Sequence, residues 1–119
     1  MKILIIEDEK ELARSITDFL MKSEYICEIV YTFEKAIEKI NLYQYDCIIV
    51  DIMLPDGNGV EVLKNVHKIS PHVPVIMLTG ARDIETATEC MRSGAIDYIT
   101  KPVDFEYLRT AVLSNITET

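Results

Sequence analysis

Five short, mostly apolar segments alternate along the chain with longer stretches in which apolar residues recur every three or four positions. The segments span residues 2–6, 25–30, 47–50, 73–78 and 96–99, and each is four to six residues long. Strands that are buried on both faces of a parallel sheet have this length and this continuous apolar character. The pattern therefore predicts five strands, each followed by a helix.

Each stretch between the strands carries an apolar face at helical spacing. The faces predicted to be buried include Leu12, Ala13, Ile16, Phe19 and Leu20 in the first helix, Phe33, Ala36, Ile37 and Ile40 in the second, Val60, Leu63 and Val66 in the third, and Leu108, Ala111 and Val112 in the last.

Local signals mark the ends of the predicted helices. Thr32 and Asp104 are predicted N-caps, and Asn58 or Gly59 opens the third helix. Gly94 stops a fourth helix that starts at about Asp83.

Alternating strands and helices define an α/β fold, here a doubly wound five-stranded parallel sheet with helices on both faces. The crossover connections are expected to be right-handed. The chain has 119 residues, of which 49% are hydrophobic, so residues 1–119 are predicted to form one domain with a full core. In such sheets, ligands bind outside the carboxyl ends of the strands.

The charge and cysteine content argue against several classes of protein. A net charge of −8 disfavours direct binding to nucleic acid or to anionic membranes. Cys27, Cys47 and Cys90 are odd in number and lack CxxC spacing, so we expect reduced thiols and no disulfide or zinc framework. No signal peptide is recognisable, and no apolar run approaches the ~18 residues of a membrane span. We therefore expect a soluble, cytoplasmic protein.

Chemically reactive side chains follow four of the five predicted strands. Glu7 and Asp8 come after the first strand, Asp51 ends the third, and Thr79 and Lys101 follow the fourth and fifth. The carboxyl ends of parallel strands meet at one edge of the sheet, so these side chains are expected to lie together. Taken singly, each also has an ordinary explanation as a turn-forming acid, a strand-end hydroxyl or a solvated cation. Their joint occurrence indicates an active site.

These residue types suit divalent-metal and phosphoryl chemistry. Magnesium prefers one or two carboxylates together with water and a phosphate oxygen. Asp8 and Asp51 can supply the carboxylates, with Glu7 as a helper through a water molecule. Asp51 is suited to form an aspartyl phosphate. Lys101 could contact the phosphoryl oxygens as a point charge, and the Thr79 hydroxyl could donate a hydrogen bond to one of them.

With these motifs, the sequence resembles the response regulator receiver family, also called CheY-like domains. The matching motifs are Glu7-Asp8, residues 51–57 (Asp-Ile-Met-Leu-Pro-Asp-Gly), residues 79–81 (Thr-Gly-Ala) and Lys101-Pro102. The resemblance covers about residues 2–116 and implies a flavodoxin-like sheet with strand order 2-1-3-4-5. It also implies a two-component signalling switch that accepts a phosphoryl group from the phosphohistidine of a sensor histidine kinase or phosphotransfer protein. Such a switch is not a turnover enzyme.

The resemblance further implies a role for each residue of the site. Asp51 is the phosphorylated residue, and Thr79 and Lys101 hold the phosphoryl group. Asp8, Asp51 and the Met53 backbone carbonyl bind Mg²⁺, with Glu7 assisting. Tyr98 matches an aromatic switch position that acts with Thr79, although its place among apolar strand residues also suits simple packing. Pro102 is expected to follow a cis peptide bond.

The wider organisation of the protein stays open at this point. The domain either stands alone or forms the N-terminal part of a longer regulator with an effector domain after Thr119. We expect the unphosphorylated domain to be a monomer, because the last helix has Arg109 as its one basic residue and the segment before the fifth strand has Asp97 as its one charge. A dimer held by paired charges along those segments would need more of them.

Three other functions fit less well. A haloacid dehalogenase-type phosphatase needs a second acid two residues after the nucleophile, where this chain has Met53. A flavodoxin-like cofactor domain needs a glycine- and hydroxyl-rich phosphate loop after the first strand, where this chain has acids. A pseudo-receiver that serves only as an interaction module would be expected to lack Asp51, Asp8 or Lys101, and all three are present.

Overall fold

Strands and helices alternate in the computed structural model, which describes residues 1–80 and 84–116. Within these residues, the strands are β1 (Lys2–Ile6), β2 (Ile26–Val30), β3 (Cys47–Asp51), β4 (Met53–Leu54), β5 (Gly57–Asn58), β6 (Val75–Thr79) and β7 (Asp97–Thr100). The helices in the same part of the chain are α1 (Lys10–Met21), α2 (Phe33–Leu42), α3 (Gly59–Ile69), α4 (Ile84–Arg92) and α5 (Phe105–Asn115).

The five longer strands form one parallel sheet in the order β2-β1-β3-β6-β7. When these five are counted alone, this is the predicted order 2-1-3-4-5, and the predicted doubly wound α/β fold is confirmed. The central strands β3 and β6 are buried along their whole length, whereas β2 and β7 at the edges are partly exposed. This explains why the central strands have the most continuous apolar sequence.

Side chains that alternate across the central strands build one core on each face of the sheet. On one face, Ile3 and Ile5 of β1 pack in a cluster with the apolar faces of α1 and α5. On the other face, Leu4 and Ile6 pack in a cluster with α2, α3 and α4. The buried apolar helix residues within the described part of the chain are Ala13, Ile16 and Leu20 of α1, Ala36 and Ile40 of α2, Val60, Val62, Leu63 and Val66 of α3, Ala87 and Cys90 of α4, and Leu108, Ala111 and Val112 of α5.

The predicted helix boundaries rest on visible capping contacts. The side chains of Thr32, Asn58 and Asp104 each accept a hydrogen bond from a backbone N–H in the first turn of the helix that follows. Gly94 has a φ of +109°, in the left-handed region that favours glycine, and lies just past the end of α4. The predicted start of that helix, Asp83, lies outside the described residues.

Some strand boundaries differ from the prediction by one or two residues. Strand β6 begins at Val75 and not at residue 73, since Pro74 has no N–H to donate to a ladder. The Pro74 carbonyl still accepts a hydrogen bond of 3.0 Å from the N–H of Ile48. The antiparallel pair of β4 and β5 was not predicted, because two-residue strands leave no periodicity to detect.

The three cysteines differ in their burial. Cys47 and Cys90 are buried, Cys27 is half-buried, and all three are free thiols. No helix within the described residues is long and apolar enough to cross a membrane.

We predict that Gly59→Ala destabilises the domain. A Cβ at Gly59 would overlap the backbone carbonyl oxygen of Asp51 and lie 2.8 Å from the Cα of Ile52. Alanine normally favours a helix over glycine, but crowding of this kind costs about 1–3 kcal/mol. Denaturant unfolding measures the expected decrease in the free energy of unfolding. Gly80→Ala is the control, since a Cβ there meets no described atom within 4 Å. Equal stability of the two variants would contradict the prediction.

Candidate functional site at the carboxyl edge of the sheet

Four strands deliver the predicted site residues to one edge of the sheet. Glu7 and Asp8 follow β1, Asp51 ends β3, Thr79 ends β6, and Lys101 follows β7. The parallel register pairs Asp51 with Leu78 and Thr79 with Thr100, so the strand ends lie level with one another. The side chains that sequence analysis expected to meet are therefore neighbours in the fold.

Three carboxylates form a compact group at this edge. Glu7, Asp8 and Asp51 each offer one oxygen, and these oxygens all lie within 4.8 Å of one another. Glu7 is fully buried, Asp51 is 4% exposed, and Asp8 is exposed to solvent. One side of the group is thus set in the protein and the other opens to water.

Lys101 lies among these acids and is the counter-ion of the site. Its Nζ is 2.8 Å from Oδ2 of Asp51, 3.1 Å from Oε1 of Glu7 and 2.7 Å from Oε1 of Glu9. The peptide bond between Lys101 and Pro102 is cis, as the resemblance implied. Burial of the ammonium disfavours its charge, but hydrogen bonds to Asp51, Glu9 and Glu7 outweigh that effect and raise the pKa of Lys101.

The buried carboxyl group of Glu7 has a raised pKa. Burial raises its pKa to about 7; the nearby charge of Asp51 also raises it, while the Glu9 backbone N–H and Lys101 work against the rise. Its Oε2 accepts the Glu9 N–H at 3.0 Å. Its Oε1 is buried and, although close to the ammonium, accepts no hydrogen bond from the described residues.

The nucleophile candidate Asp51 is held at both oxygens. Oδ1 accepts a 3.0 Å hydrogen bond from the N–H of Met53, and Oδ2 receives the Lys101 ammonium. The Met53 side chain next to it is 74% exposed. The orientation of the Asp51 carboxylate is therefore fixed by the loop that follows it as well as by Lys101.

The two predicted switch residues lie on neighbouring strands. Thr79 is 5% exposed at the end of β6. Tyr98 of β7 is half-buried against the core on the α2–α4 face, and it borders a shallow depression with Ala87, Thr88, Met91 and Arg92. Tyr98 thus has both a packing role and access to the surface.

The sequence predicted no contact for Glu9, which binds a site residue, or for Asp56, which binds the start of α2. Glu9, the N-cap residue of α1, makes no capping bond with its side chain and binds Lys101 instead. Asp56 accepts hydrogen bonds from the N–H groups of Phe33 (2.6 Å) and Glu34 (3.1 Å) at the start of α2. The Phe33 N–H is the larger cause that holds the pKa of Asp56 below its usual range. Both residues contact segments that are distant in the sequence, so the pattern of neighbouring residues could not predict these contacts.

Comparisons with known proteins identify the family of this chain and agree with its fold. The sequence model of the response regulator receiver domain family matches residues 3–113 of this chain. The chain is 37% identical over 108 residues to the regulatory protein LuxO of Vibrio cholerae, covering 91% of this chain and 24% of LuxO. It is 38% identical over 107 residues to the response regulator ArlR of Staphylococcus saprophyticus, covering 90% of this chain and 48% of ArlR.

Solved structures give the same result. The crystal structure of a CheY-like response regulator receiver domain protein from Methanospirillum hungatei matches with a TM-score of 0.92 at 31% identity, over 97% of this chain and 92% of that one. A two-component response regulator from Clostridium difficile matches with a TM-score of 0.91 at 29% identity, over 99% of both chains.

The fold and these matches define a doubly wound α/β domain of the receiver class. The chain belongs to the response regulator receiver domain family of two-component systems. It spans about a quarter of the length of LuxO and about half of the length of ArlR.

We predict a favourable coupling between Glu9 and Lys101. A double-mutant cycle of Glu9→Gln and Lys101→Met is measured by denaturant unfolding without divalent cations. The coupling free energy should be about 0.5–1 kcal/mol, because Glu9 is largely exposed and water screens the pair. The coupling should decrease as salt is added. The same cycle with Glu11→Gln is the control, since Glu11 is one of the exposed acids of α1. A coupling of zero at low salt would contradict the predicted role of Glu9.

Proposed function

We propose that this domain accepts a phosphoryl group on Asp51 from the phosphohistidine of a sensor histidine kinase or phosphotransfer protein, and that phosphorylation switches an output surface. One observation supports this most strongly. Asp51 is a nearly buried carboxylate at a strand end, held by Lys101 and the Met53 N–H beside two further acids. A buried carboxylate in this setting is costly unless it has partners, and buried acids held by specific charged partners are typical of functional sites.

The contacts of Asp51 suit an in-line transfer. One oxygen of Asp51 forms a bond to phosphorus as the bond between phosphorus and the donor imidazole nitrogen breaks, and the nitrogen takes the electron pair. Positioning and charge stabilisation supply most of the catalysis in phosphoryl transfer. Among the described residues, Lys101 is the cation in contact with Asp51, with its Nζ 2.8 Å from Oδ2. The Thr79 hydroxyl is proposed to donate to a phosphoryl oxygen.

The acidic group fits the Mg²⁺ ion that the family implies. The buried Oε1 of Glu7 lacks a hydrogen-bond donor among the described residues, and a metal-bound water would supply one. Asp8 and Asp51, with the Met53 carbonyl and with Glu7 assisting, offer the hard oxygen donors that magnesium prefers. When bound, Mg²⁺ neutralises charge on the carboxylates and the phosphoryl oxygens.

We propose that Thr79 and Tyr98 carry the change to the surface formed by α4, β7 and α5. Both lie on strands next to the site, and Tyr98 borders the α4 surface. We propose that this surface has two conformations, and that phosphorylation of Asp51 shifts the population from one to the other. The domain assists its own phosphorylation and dephosphorylation but does not turn over a substrate.

We further propose that residues 1–119 form the receiver part of a longer regulator with an effector domain after Thr119. The short coverage of LuxO and ArlR supports this. The unphosphorylated domain is proposed to be a monomer. In support, Asp97 accepts a hydrogen bond from Tyr107 and Arg109 pairs with Glu106, so these charges are engaged within one chain.

Asp51→Asn should abolish phosphorylation, because it removes the nucleophile while an amide oxygen can still accept the Met53 N–H. We expect less than about a tenth of the wild-type incorporation from acetyl phosphate and Mg²⁺, a loss typical of removing a covalent nucleophile. Intact-mass measurement gives the incorporation and circular dichroism the fold. Asp18→Asn, at an exposed acid of α1, is the control. Wild-type incorporation in the Asp51 variant, or phosphate on another residue, would refute the assignment.

Asp8→Ala should weaken Mg²⁺ binding by about tenfold or more, since one of two carboxylate ligands is lost. Amide resonances followed during a magnesium titration of the unphosphorylated protein measure the affinity. Glu11→Ala removes the same charge from α1 without touching the acidic group and is the matched control. If both variants bind the ion as well as the wild type, the ion does not use this site.

We expect a long-lived phosphorylated form. In the receiver family, acidic or amide side chains two residues after the position of Asp51 and two after that of Thr79 can orient the attacking water, and this chain has other residues at those two positions. They are Met53 and Ala81, and neither can align water well. The exposed Met53 can also cover the phosphoryl group, while Ala81 lies outside the described residues. Met53→Asn with Ala81→Glu should speed the loss of phosphate, followed by acid quench and mass spectrometry. Fast decay in the wild type, unchanged by both substitutions, would rule out this control of lifetime.

A further inference from the structure

We propose that Asp56 is a positioning residue for the phosphoryl-transfer site, because it fastens the loop after Asp51 to the start of α2. This rests on the proposed function of Asp51 and adds a residue that lies outside the acidic group. Asp56 is exposed, so burial does not account for its place in the fold.

The contact between Asp56 and α2 joins two distant parts of the chain. Each carboxylate oxygen accepts one backbone N–H, from Phe33 at 2.6 Å and from Glu34 at 3.1 Å, across 23 and 22 residues. The helix also has its own N-cap, because Oγ1 of Thr32 accepts the Lys35 N–H at 3.2 Å. Asp56 therefore satisfies two further N–H groups that a helix start leaves without partners, and in doing so ties α2 to the loop.

The next residue reinforces the attachment sterically. A Cβ at Gly57 would lie 2.6 Å from Cγ and 2.9 Å from Cβ of Phe33. Those atoms are close to the Phe33 backbone and cannot swing aside as the end of a long side chain can. The loop thus rests directly on the first residue of α2 at two consecutive positions.

A short chain of contacts leads from this attachment to the nucleophile. Gly57 pairs with Leu54 and Asn58 pairs with Met53 in the small β4–β5 hairpin. The Met53 N–H then donates to Oδ1 of Asp51. A shift of the hairpin turn is therefore expected to move the group that orients Asp51 and the backbone carbonyl proposed to bind Mg²⁺.

The test compares the loss of two different caps from the same helix. Thr32→Ala removes the local cap, and Asp56→Ala removes the caps that also hold the loop. We expect both to lower stability, but only Asp56→Ala to shift the Met53 amide resonance, weaken Mg²⁺ binding and slow phosphorylation of Asp51 by acetyl phosphate. The slowing should be about tenfold, within what small misplacements cost in catalysis.

Two further variants keep the test informative if Asp56→Ala folds poorly. Asp56→Asn retains one good acceptor and should restore part of the rate and of the Met53 resonance position. Gly57→Ala leaves Asp56 in place but pushes the loop off Phe33, so it should reproduce the effects on Met53 and Mg²⁺.

Equal effects of Thr32→Ala and Asp56→Ala on all readouts would overturn the proposal, leaving Asp56 as a helix cap alone. Failure of the wild type to accept phosphate would instead overturn the proposed function. In that case the Met53 resonance, which needs neither phosphate nor metal, still decides whether Asp56 positions the loop.

Discussion

The contact of Lys101 with the carboxylates at the sheet edge is the interaction on which the rest of the site depends. Two of its partners, Glu7 and Asp51, are almost entirely buried, and a buried carboxylate without a counter-ion costs several kcal/mol. Lys101 lies 2.8 Å from one and 3.1 Å from the other, so it partly neutralises both. Its single charge cannot balance Glu7, Asp8, Glu9 and Asp51 together. Among the described residues, the edge therefore keeps an excess of negative charge, which is compatible with a divalent cation.

This excess is tolerated because the sheet is stabilised elsewhere. Each central strand contributes alternate side chains to two cores, one under α1 and α5 and the other under α2, α3 and α4. Burial of this kind contributes roughly 1.5–3 kcal/mol for each large apolar side chain. The carboxyl edge is thus free to carry residues that burial alone would disfavour. The parallel register brings them level with one another.

Sequence reasoning recovered those features that local pattern encodes. Continuous apolar strands and helical faces defined the α/β fold, and acids or polar residues at strand ends such as Asp51 and Lys101 were expected at one edge. Contacts made between elements were not recovered. The Glu9 side chain could have capped its own helix, and only the path of the chain after β7 brings Lys101 within 2.7 Å of it. Asp56 reads locally as a turn residue, and its bonds to α2 depend on how two distant segments pack.

The proposed phosphorylation site depends both on charged side chains and on the position of the backbone around Asp51. Lys101 and the acids set its electrostatics through side chains that the sequence displays. The orientation of Asp51, by contrast, also depends on the backbone of Met53, and that backbone is set by the hairpin, by Gly57 against Phe33 and by the missing side chain at Gly59. Backbone groups cannot be exchanged by substitution, so their placement is determined by small residues and by turns. The glycines around Asp51 are therefore as much a part of the site as its charged residues are, although none of them carries a reactive group.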